Sequence, residues 1–352
     1  MAEKTLTAAI LGLGKAGQRL LEAVQATNDF RIQAVADQDQ QRVERVARDL
    51  ACEPYTDYRQ LIVQNQLDCL LVASDIHLCD EHLKTALKKR FHVLKLAPPA
   101  RDFEETLEYV RLAETEKAYF AIANPARFRS SYQKAHALLL EEQVQQIFLI
   151  TAHCHISNHD RPAWYTDPKL AGGGVLLHDC HQIIDQILWS FPIPQQVYAL
   201  TTNQAPDKQQ RLYLTEDTAV VSMKFTDAVM GNIVATRGTD PRPNEMSLRI
   251  YGRDAVLTVD DRQVTLRSTS DGEDQTWEFD ESEQDAMVRL LASFAQSIRT
   301  PDEHPRLSSG AENLANMAVF EAAYLSARTG FPEEPARILH LTGNPSGTVT
   351  SI

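Results

Sequence analysis

The chain has 352 residues, with 35 Lys and Arg against 48 Asp and Glu, and therefore a formal net charge of −13. This length suits about two domains, and 43% hydrophobic with 24% charged residues is typical of a globular protein rather than a disordered or membrane-embedded one. An acidic surface repels nucleic-acid phosphates, and no apolar run reaches the roughly 18 residues of a membrane span. We therefore expect small-molecule partners, with no nucleic acid and no membrane among them.

Cysteine usage and the start of the chain indicate the compartment. The five cysteines contain no C-x-x-C pair, which argues against a disulfide framework or a structural zinc site. The N-terminus lacks the basic start and apolar core of a signal peptide. We therefore expect reduced thiols and a cytoplasmic protein.

The first third of the chain has the pattern of βαβ units. Short apolar runs, which predict buried strands, alternate with amphipathic stretches. The predicted strands are 7–11, 32–36, 69–73, 91–96 and 119–123. Asp102, with Glu105 three residues later, has capping-box spacing and predicts the start of a helix. Together these features predict a parallel sheet that helices cover on both faces.

After about residue 124 apolar and polar residues alternate, as in Val221, Met223 and Phe225, which predicts strands with one solvated face. Further predicted strands are 147–155, 229–236, 247–251 and 255–259. They favour an open, mostly antiparallel sheet. Apolar spacing also predicts one helix over 175–189 and a later helix that ends before Gly330. The predicted fold class is therefore α/β, with a parallel sheet followed by a mostly antiparallel one.

A glycine motif links the first strand to the first helix. It reads Gly12, Leu13, Gly14, Lys15, Ala16 and Gly17, and Asp37 closes the second strand 20 residues beyond Gly17. Glycines allow a tight turn whose backbone N–H groups approach a pyrophosphate at a helix N-terminus. The Asp37 carboxylate can accept hydrogen bonds from the ribose hydroxyls and repels a 2′-phosphate. The motif predicts a site for NAD rather than NADP; a turn that serves packing alone is the alternative.

Several later segments carry a family resemblance. They are 124–128, 164–168, 171–176, 251–255 and 322–330. With the glycine motif, they resemble the Gfo/Idh/MocA family (glucose-fructose oxidoreductase, inositol dehydrogenase and relatives) from about residue 5 to residue 335. The resemblance implies an NAD(P)-binding Rossmann domain over 1–124 and an α/β substrate domain over 125–352, whose open sheet forms a homodimer or homotetramer. It also implies sugars, cyclitols or related polyols as substrates.

This chain departs from the family at the catalytic positions. The Glu-Lys-Pro element of the family ends in Ala97 and Pro98 here, so an alanine replaces the lysine. In the Asp-x-Gly-x-His-x-x-Asp element, His178 replaces the first Asp, Gln182 replaces the His, and Asp185 is kept. The family's Thr-Pro-x-x-x-His element near the nicotinamide also differs, because it reads Ser74, Asp75, Ile76, His77, Leu78 and Cys79 here. Asn124 stands where the family carries a polar residue near the nicotinamide. We predict cofactor contacts for Ser74, Asp75, His77 and Asn124.

An enzyme that oxidises a secondary alcohol needs a group that takes the hydroxyl proton, which is worth about 10²- to 10⁴-fold in rate. Lys95 lies two residues before Ala97 in the same strand and so on the same face; a lysine that lies along the sheet edge or pairs with an acid is the alternative. His178 and His181 titrate in the useful range, and Asp185 has the spacing to orient His181. Structural histidines are the alternative. The predicted catalytic residues are therefore these two histidines, Lys95 and Asp185.

Other polar residues flank the family-like segments. Those predicted to contact the substrate are Arg127, Trp164, Asp179 and Gln182. For any one charged residue among them, an ordinary surface position is the alternative.

A metal site is a further hypothesis. Alternation puts His153 and His155 on one face of a strand, and with His178 or His181 they could supply three imidazoles. Structural or substrate-contacting histidines are the alternative. Because the family does not normally use a metal, we predict none.

The residues support three functional hypotheses. The leading one is an NAD-dependent oxidoreductase that transfers hydride between nicotinamide and a sugar, cyclitol or related polyol. The second is a non-catalytic NAD- or sugar-binding regulator or subunit, because the usual Lys, Asp and His are all replaced. The third is a redox-neutral glycosidase in which tightly held NAD is reduced and regenerated.

Overall fold

A computed structural model of the chain describes residues 4–157, 162–203, 215–238, 243–269 and 272–340. The chain divides into two compact units. Unit 1 comprises Met1–Pro125 and Ser282–Asn313, and unit 2 comprises Ala126–Glu281 and Leu314–Ile352. In the described residues, no helix combines the length and the apolar character needed to cross a membrane. All five cysteines are free thiols.

Unit 1 is built on a six-stranded parallel sheet in the order β3-β2-β1-β4-β5-β6. Its strands are β1 Leu6–Leu11, β2 Phe30–Ala36, β3 Glu53–Tyr55, β4 Cys69–Val72, β5 His92–Leu96 and β6 Phe120–Ala123. Its helices are α1 Lys15–Gln25, α2 Gln40–Leu50, α3 Tyr58–Gln64, α4 Asp80–Lys88 and α5 Phe103–Glu116. Strand β1 pairs with both β2 and β4, so the strand order reverses there, where ligands of such sheets bind beyond the carboxyl ends. The predicted parallel α/β fold of this part is confirmed.

Local sequence determines where α5 starts. The side chain of Asp102 accepts a hydrogen bond from the N–H of Glu105 at 2.8 Å, as the capping-box spacing predicts. The strands β4 and β6 are buried along their whole length, which explains why they are apolar runs rather than alternating ones.

The segment Ser282–Asn313 groups with unit 1, although the predicted domains of 1–124 and 125–352 place it in the second. It contains α10, Glu283–Arg299, which packs against α1. At the end of α10, Arg299 donates to the Asp29 carboxylate at 2.7 Å and to the Lys4 carbonyl at 2.8 Å. Such contacts join residues 270 and 295 positions apart, so no local pattern in the sequence announces them.

Unit 2 is built on an eight-stranded sheet in the order β14-β13-β12-β11-β7-β10-β9-β8. Its strands are β7 Leu149–Ile156, β8 Gln196–Thr202, β9 Thr218–Lys224, β10 Met230–Arg237, β11 Glu245–Tyr251, β12 Ala255–Asp260, β13 Gln263–Ser268 and β14 Gln275–Glu278. Its helices are α6 Ser130–Leu140, α7 Pro168–Ala171, α8 Val175–His178, α9 His181–Ser190 and α12 Pro335–His340, while α11, Gly310–Thr329, runs through both units. Among the strands of this sheet that the structure describes, only β7 and β10 pair in parallel, which confirms the predicted mostly antiparallel sheet.

The sheet of unit 2 has one buried and one open face. On β9, Ala219, Val221 and Met223 are buried, whereas Val220 and Ser222 between them are exposed. This is the alternation that predicted strands with one solvated face. The predicted end of α11 is also confirmed, because Gly330 follows the helix with a φ of +74°.

The single helix predicted over 175–189 is wrong. The N–H groups of Asp179 and Cys180 both bond to the Val175 carbonyl at 3.0 Å, which closes α8 after one turn, and α9 begins at His181. The i,i+4 neighbourhood expected for His178 and Gln182 on one continuous helix therefore does not apply.

Candidate functional site

The glycine turn of unit 1 is shaped by close backbone contacts. Gly12 has a φ of +85°, and a Cβ there would lie 2.5 Å from the backbone N of Ser74 in the loop after β4. A Cβ on Gly17 would overlap the Gly12 carbonyl oxygen. At Gly14, by contrast, a Cβ would meet no protein atom within 4 Å. The outer two glycines are therefore required by packing, and the middle one borders open space.

The N-terminus of α1 is arranged to receive an anion. Gly14 is its N-cap residue, and no side chain of the described chain caps it. The first turn of α1 contains no acidic residue. Backbone N–H groups at a helix start carry partial positive charge and suit a phosphate. The predicted contact of this open turn with the pyrophosphate of a dinucleotide stays a prediction.

Asp37 is held at the end of β2 by three donors. Its carboxylate accepts the N–H of Leu13 at 2.6 Å and the N–H of Asp39 at 2.9 Å. The Arg42 guanidinium also lies 3.1 Å from it. A carboxylate offers about four acceptor positions, so the described contacts leave room for a ribose hydroxyl. Arg42 had no signal in the sequence, since its approach depends on the turn between β2 and α2.

The loop after β4 contains three of the residues predicted to line the nicotinamide. Ser74 lies against Gly12, and its hydroxyl is 3.2 Å from the Cys79 thiol. Cys79 also donates to the Asp75 carbonyl at 3.2 Å. His77 lies in the short 3₁₀ turn Ile76–Leu78. Their cofactor contacts stay predictions.

Lys95 is buried at the end of β5, with 3% of its surface exposed. Its ammonium donates to the carbonyls of Leu96 at 3.0 Å and Pro98 at 2.6 Å, on either side of Ala97. Burial lowers the pKa of Lys95 below its ordinary value. Lys95 is therefore buried rather than lying along the sheet edge. Its hydrogen bonds are with carbonyl groups of the following turn rather than with an acid.

Asn124, at the end of β6, is fully buried. Its Nδ2 donates to Ser308 Oγ at 2.9 Å and to Asn313 Oδ1 at 3.2 Å. Within the part of the chain that the structure describes, Asn124 Oδ1 has no hydrogen-bond partner. A buried carbonyl oxygen of this kind suits a donor from outside the protein.

In unit 2, the two candidate histidines have different surroundings. His178 is half-buried, and its ring packs against those of Trp164 and Tyr165, with centroids 5.6 and 4.9 Å away. His178 Nε2 lies 2.9 Å from the Ala171 carbonyl, which can only accept, so the neutral ring has Nδ1 as its basic nitrogen. His181 is fully buried and stacks on Phe320 at 5.5 Å.

Asp179 is paired with an arginine that no motif in the sequence indicates. Arg237, the last residue of β10, approaches both oxygens of Asp179 at 2.5 and 2.6 Å. Its guanidinium lies 5.0 Å from the centre of the Tyr165 ring. Asp179, Arg237, Trp164, Tyr165 and His178 thus form one cluster of polar and aromatic groups, which we call the His178 cluster.

The polar residues predicted farther along α9 contact other protein groups. The Asp185 carboxylate is fully buried and receives Arg127 Nε at 2.6 Å and Nη2 at 2.8 Å, and Asn316 at 2.9 Å. These contacts join Asp185 to Arg127 rather than to a histidine. Gln182 Oε1 accepts the N–H of Ala126 at 3.1 Å. The catalytic and substrate roles predicted for these three side chains stay predictions.

Glu216 is a buried acid that no motif in the sequence singled out. Its carboxylate accepts the N–H groups of Gly174 at 2.8 Å and Leu176 at 3.0 Å, before and within α8. Its own carbonyl accepts the N–H of Val175 at 3.0 Å. The hydroxyl of Tyr324 donates to the Glu216 carboxylate at 2.9 Å. Burial raises the pKa of Glu216 above its ordinary value.

The hypothesis of a metal site also involves His153 and His155 on β7. His153 is exposed on β7, and the Nδ1 of its buried neighbour His155 lies 2.9 Å from Thr236 Oγ1. In the described ranges no group of three or more His, Cys, Asp or Glu side chains is placed to hold a metal ion.

Comparisons with known proteins extend these observations. Residues 6–123 match the Gfo/Idh/MocA family model described as an oxidoreductase family with an NAD-binding Rossmann fold. Residues 137–333 match the model of that family's C-terminal alpha/beta domain.

Individual relatives are distant in sequence. A 2,7-anhydro-N-acetylneuraminate hydratase of Escherichia coli is 24% identical over 191 residues, which is 52% of this chain and 50% of that enzyme. The chain thus spans about half the length of this curated relative.

Two solved structures share the fold over nearly their whole length. A levoglucosan dehydrogenase in complex with NADH has a TM-score of 0.87 at 16% identity, covering 94% of this chain and 99% of its own. The WlbA dehydrogenase of Bordetella pertussis, in complex with NADH and UDP-GlcNAcA, has a TM-score of 0.80 at 19% identity, with the same coverage of 94% and 99%. At such identities the likeness concerns the fold. Because both domain models of the family match, the chain belongs to the Gfo/Idh/MocA oxidoreductase family, and its residues 6–123 form the family's NAD-binding Rossmann fold.

Proposed function

We propose that the protein is an NAD-dependent oxidoreductase that transfers hydride between nicotinamide and a sugar, cyclitol or related polyol. The observation that carries this proposal is the open glycine turn before α1, with Asp37 at the end of the neighbouring strand. Family membership supports the reaction class, and the NADH complexes of the two solved relatives support the cofactor.

NAD, when bound, supplies the hydride acceptor. The backbone N–H groups of 12–17 hold the pyrophosphate, and Asp37 accepts from the adenosine ribose and disfavours a 2′-phosphate. Ser74, Asp75, His77 and Asn124 line the nicotinamide end. The free Asn124 Oδ1 suits an amide donor there.

His178 takes the hydroxyl proton of the substrate at Nδ1. Its ring is held at Nε2 by the Ala171 carbonyl, and it is half-buried rather than enclosed. An imidazole near neutral pH is suited to proton transfer. His181 and Lys95 have structural roles in this scheme, because one stacks within the core and the other binds two carbonyls.

Substrate recognition falls to the exposed side of the His178 cluster. Trp164 offers an aromatic face for the C–H groups of a sugar ring, and the Asp179–Arg237 pair offers charged partners for hydroxyls. Arg127 and Gln182 have an indirect role, because their hydrogen bonds connect α9 to the turn Pro125–Phe128.

The test follows reduced nicotinamide by its absorbance while NAD is mixed with a panel of polyols. The panel includes the compounds named for the relatives: levoglucosan, L-sorbose, UDP-GlcNAcA, L-tartaric acid and 2,7-anhydro-N-acetylneuraminate. On an active substrate, His178→Asn is expected to lower kcat about 10²- to 10⁴-fold. His153→Asn, an exposed histidine of the same unit, serves as the control and keeps full activity. Equal kcat for His178→Asn and the wild type would refute the role of His178.

Redox-neutral chemistry is a second candidate, favoured by the likeness to a hydratase of an anhydro-sugar. In that case a nitrophenyl glycoside or an anhydro-sugar is converted without net production of NADH.

The third candidate, a non-catalytic binding protein, rests on Ala97, His178 and Gln182 at the family's catalytic positions. Tight NADH binding without any turnover across the panel would favour it.

We also propose that the protein forms a homodimer or homotetramer through the open face of the unit 2 sheet. Leu200, Val220 and Tyr198 on that face are 59%, 41% and 37% exposed, and Leu200 and Val220 are direct cross-strand partners. Large apolar side chains grouped on a sheet face are typical of an interface. Sedimentation should give a dimer or tetramer for the wild type and a smaller species for Leu200→Glu.

The free thiols suit the cytoplasm, where we place the protein.

A further inference from the structure

The helix α8 depends on groups outside itself. It has four residues, Val175–His178, and a single helical turn is not stable on its own in water. Its last residue is His178. Whatever holds this turn therefore determines where the His178 ring lies.

One acid and one tyrosine satisfy the backbone N–H groups of 174–177. Glu216 receives three of them, two on its carboxylate and one on its carbonyl. The fourth, from Leu177, bonds to Tyr324 Oη at 3.2 Å. The same hydroxyl donates to Glu216, so the two side chains form one connected network. Each of the orphan donors at the start of α8 thus has a partner.

Gly173 and Gly174 leave the space that the Glu216 and Tyr324 groups need to reach the backbone before α8. A Cβ on Gly173 would overlap the Tyr324 hydroxyl, and a Cβ on Gly174 would overlap the Glu216 carbonyl oxygen. Glu216 is 8% exposed, so little water competes for its oxygens. Hydrogen bonds to a charged acceptor in such surroundings are stronger than those between neutral groups.

We propose that Glu216 is the positioning residue of the candidate site, fixing α8 so that His178 stays between the Ala171 carbonyl and the Trp164–Tyr165 pair. This inference rests on the proposed role of His178 as the proton acceptor. Tyr324 supports Glu216 in two ways. Its hydroxyl donates to the Glu216 carboxylate and accepts the N–H of Leu177. Glu216 acts through α8, so its own contact with substrate is not part of the role.

Glu216→Gln tests the proposal with almost no change in volume. The new NH₂ group cannot accept, so the N–H of Gly174 or Leu176 loses its partner. Hydrogen exchange at the amides of 174–177 should become about 10- to 100-fold faster, while the amides of β9 and β10 keep their protection. Glu245→Gln, an exposed glutamate on β11, is the matched control and should leave exchange unchanged. Tyr324→Phe is the second variant and should free the Leu177 amide if Glu216→Gln does not fold.

Turnover separates this inference from the proposed function. With an active substrate, Glu216→Gln should lower kcat about 10- to 100-fold and move the pH profile of kcat, while the affinity for NADH stays the same. Unchanged exchange at 174–177 in both variants overturns the proposal, and so does faster exchange with the kcat and pH profile of the wild type. If the wild type has no activity on any substrate, the proposed function fails. Faster exchange in that case still identifies Glu216 as the anchor of α8 but removes its role in proton transfer.

Discussion

The two glycine-rich segments at helix starts, 12–17 in unit 1 and 172–174 in unit 2, use the absence of side chains in opposite ways. In the first, Gly14 borders open space at the start of α1, and no side chain of the described residues caps that helix. In the second, Glu216 and Tyr324 fill the space in front of the glycines, and a carboxylate of the protein itself receives the helix amides. The first turn is left for an external anion, and the second already contains an internal one.

A similar difference separates three acids of unit 2 from two groups of unit 1. The buried Asp185 and Glu216 and the half-buried Asp179 all have partners within unit 2. In unit 1 the glycine turn and Asn124 Oδ1 keep capacity for a ligand. A glycine motif alone therefore does not identify a ligand site. The atoms that surround each glycine show whether the space is open for a ligand or already filled by the protein.

The largest expected effect concerns the internal pairing of unit 2. Arg127→Met leaves the fully buried Asp185 carboxylate without its bidentate partner, which should lower the free energy of unfolding by about 3 to 5 kcal/mol. Urea denaturation measures it, with Arg249→Met, an exposed arginine on β11, as the control. A loss below about 1 kcal/mol, typical of a surface ion pair, would contradict the structural role of the Arg127–Asp185 pair.

Gly174→Ala should come next in size. Its Cβ would overlap the carbonyl oxygen of Glu216, so the segment before α8 must shift, at a cost of about 1 to 3 kcal/mol in the free energy of unfolding. The affinity for NADH should stay that of the wild type, because Gly174 belongs to unit 2. Stability equal to the wild type would show that Glu216 does not fill this space.

Gly14→Ala is the converse experiment. Its Cβ meets no protein atom within 4 Å and its φ of −64° suits alanine, so stability should be nearly unchanged. The methyl group should obstruct the pyrophosphate and weaken NADH binding about 10- to 100-fold, as measured by calorimetry. Unchanged NADH affinity would place the dinucleotide elsewhere and break the contrast between the two segments.

These contrasts show what the sequence could predict. The glycine turn and Asp37 are recognisable because a tight turn, a helix start and a strand end are all local features. The cap of α5 at Asp102 was predictable for the same reason. The pairing of Arg127 with Asp185 joins residues 58 positions apart, and that of Gly174 with Glu216 joins residues 42 apart. Neither leaves a local pattern.

The break between α8 and α9 has a similar origin. The apolar spacing of 175–189 fits a continuous helix. It does not indicate that the N–H of Cys180 bonds to the Val175 carbonyl. The position of Arg237 beside Asp179 likewise depends on how β10 is placed in the sheet. Tertiary contacts, rather than helix propensity, decide the geometry of the His178 cluster.

The smallest expected effect is a pH dependence in unit 1. His92 Nδ1 accepts the N–H of Tyr119 at 2.8 Å, and burial lowers the pKa of His92 below 6.5. The unfolded chain then binds a proton more readily than the folded one, so stability declines as the pH falls from about 6.5 towards the lower folded-state pKa. Urea denaturation between these pH values should show a shallower decline for His92→Asn, whose Oδ1 can accept without titrating. An identical pH dependence for this variant and the wild type would exclude His92 as the source.

Titration calorimetry of the wild-type protein with NADH and with NADPH shows whether the open turn of unit 1 binds NAD. We expect saturable binding of NADH and weaker binding of NADPH, because the Asp37 carboxylate accepts from a ribose hydroxyl and repels a 2′-phosphate. Folded protein that binds neither nucleotide, or that prefers NADPH, would contradict this expectation.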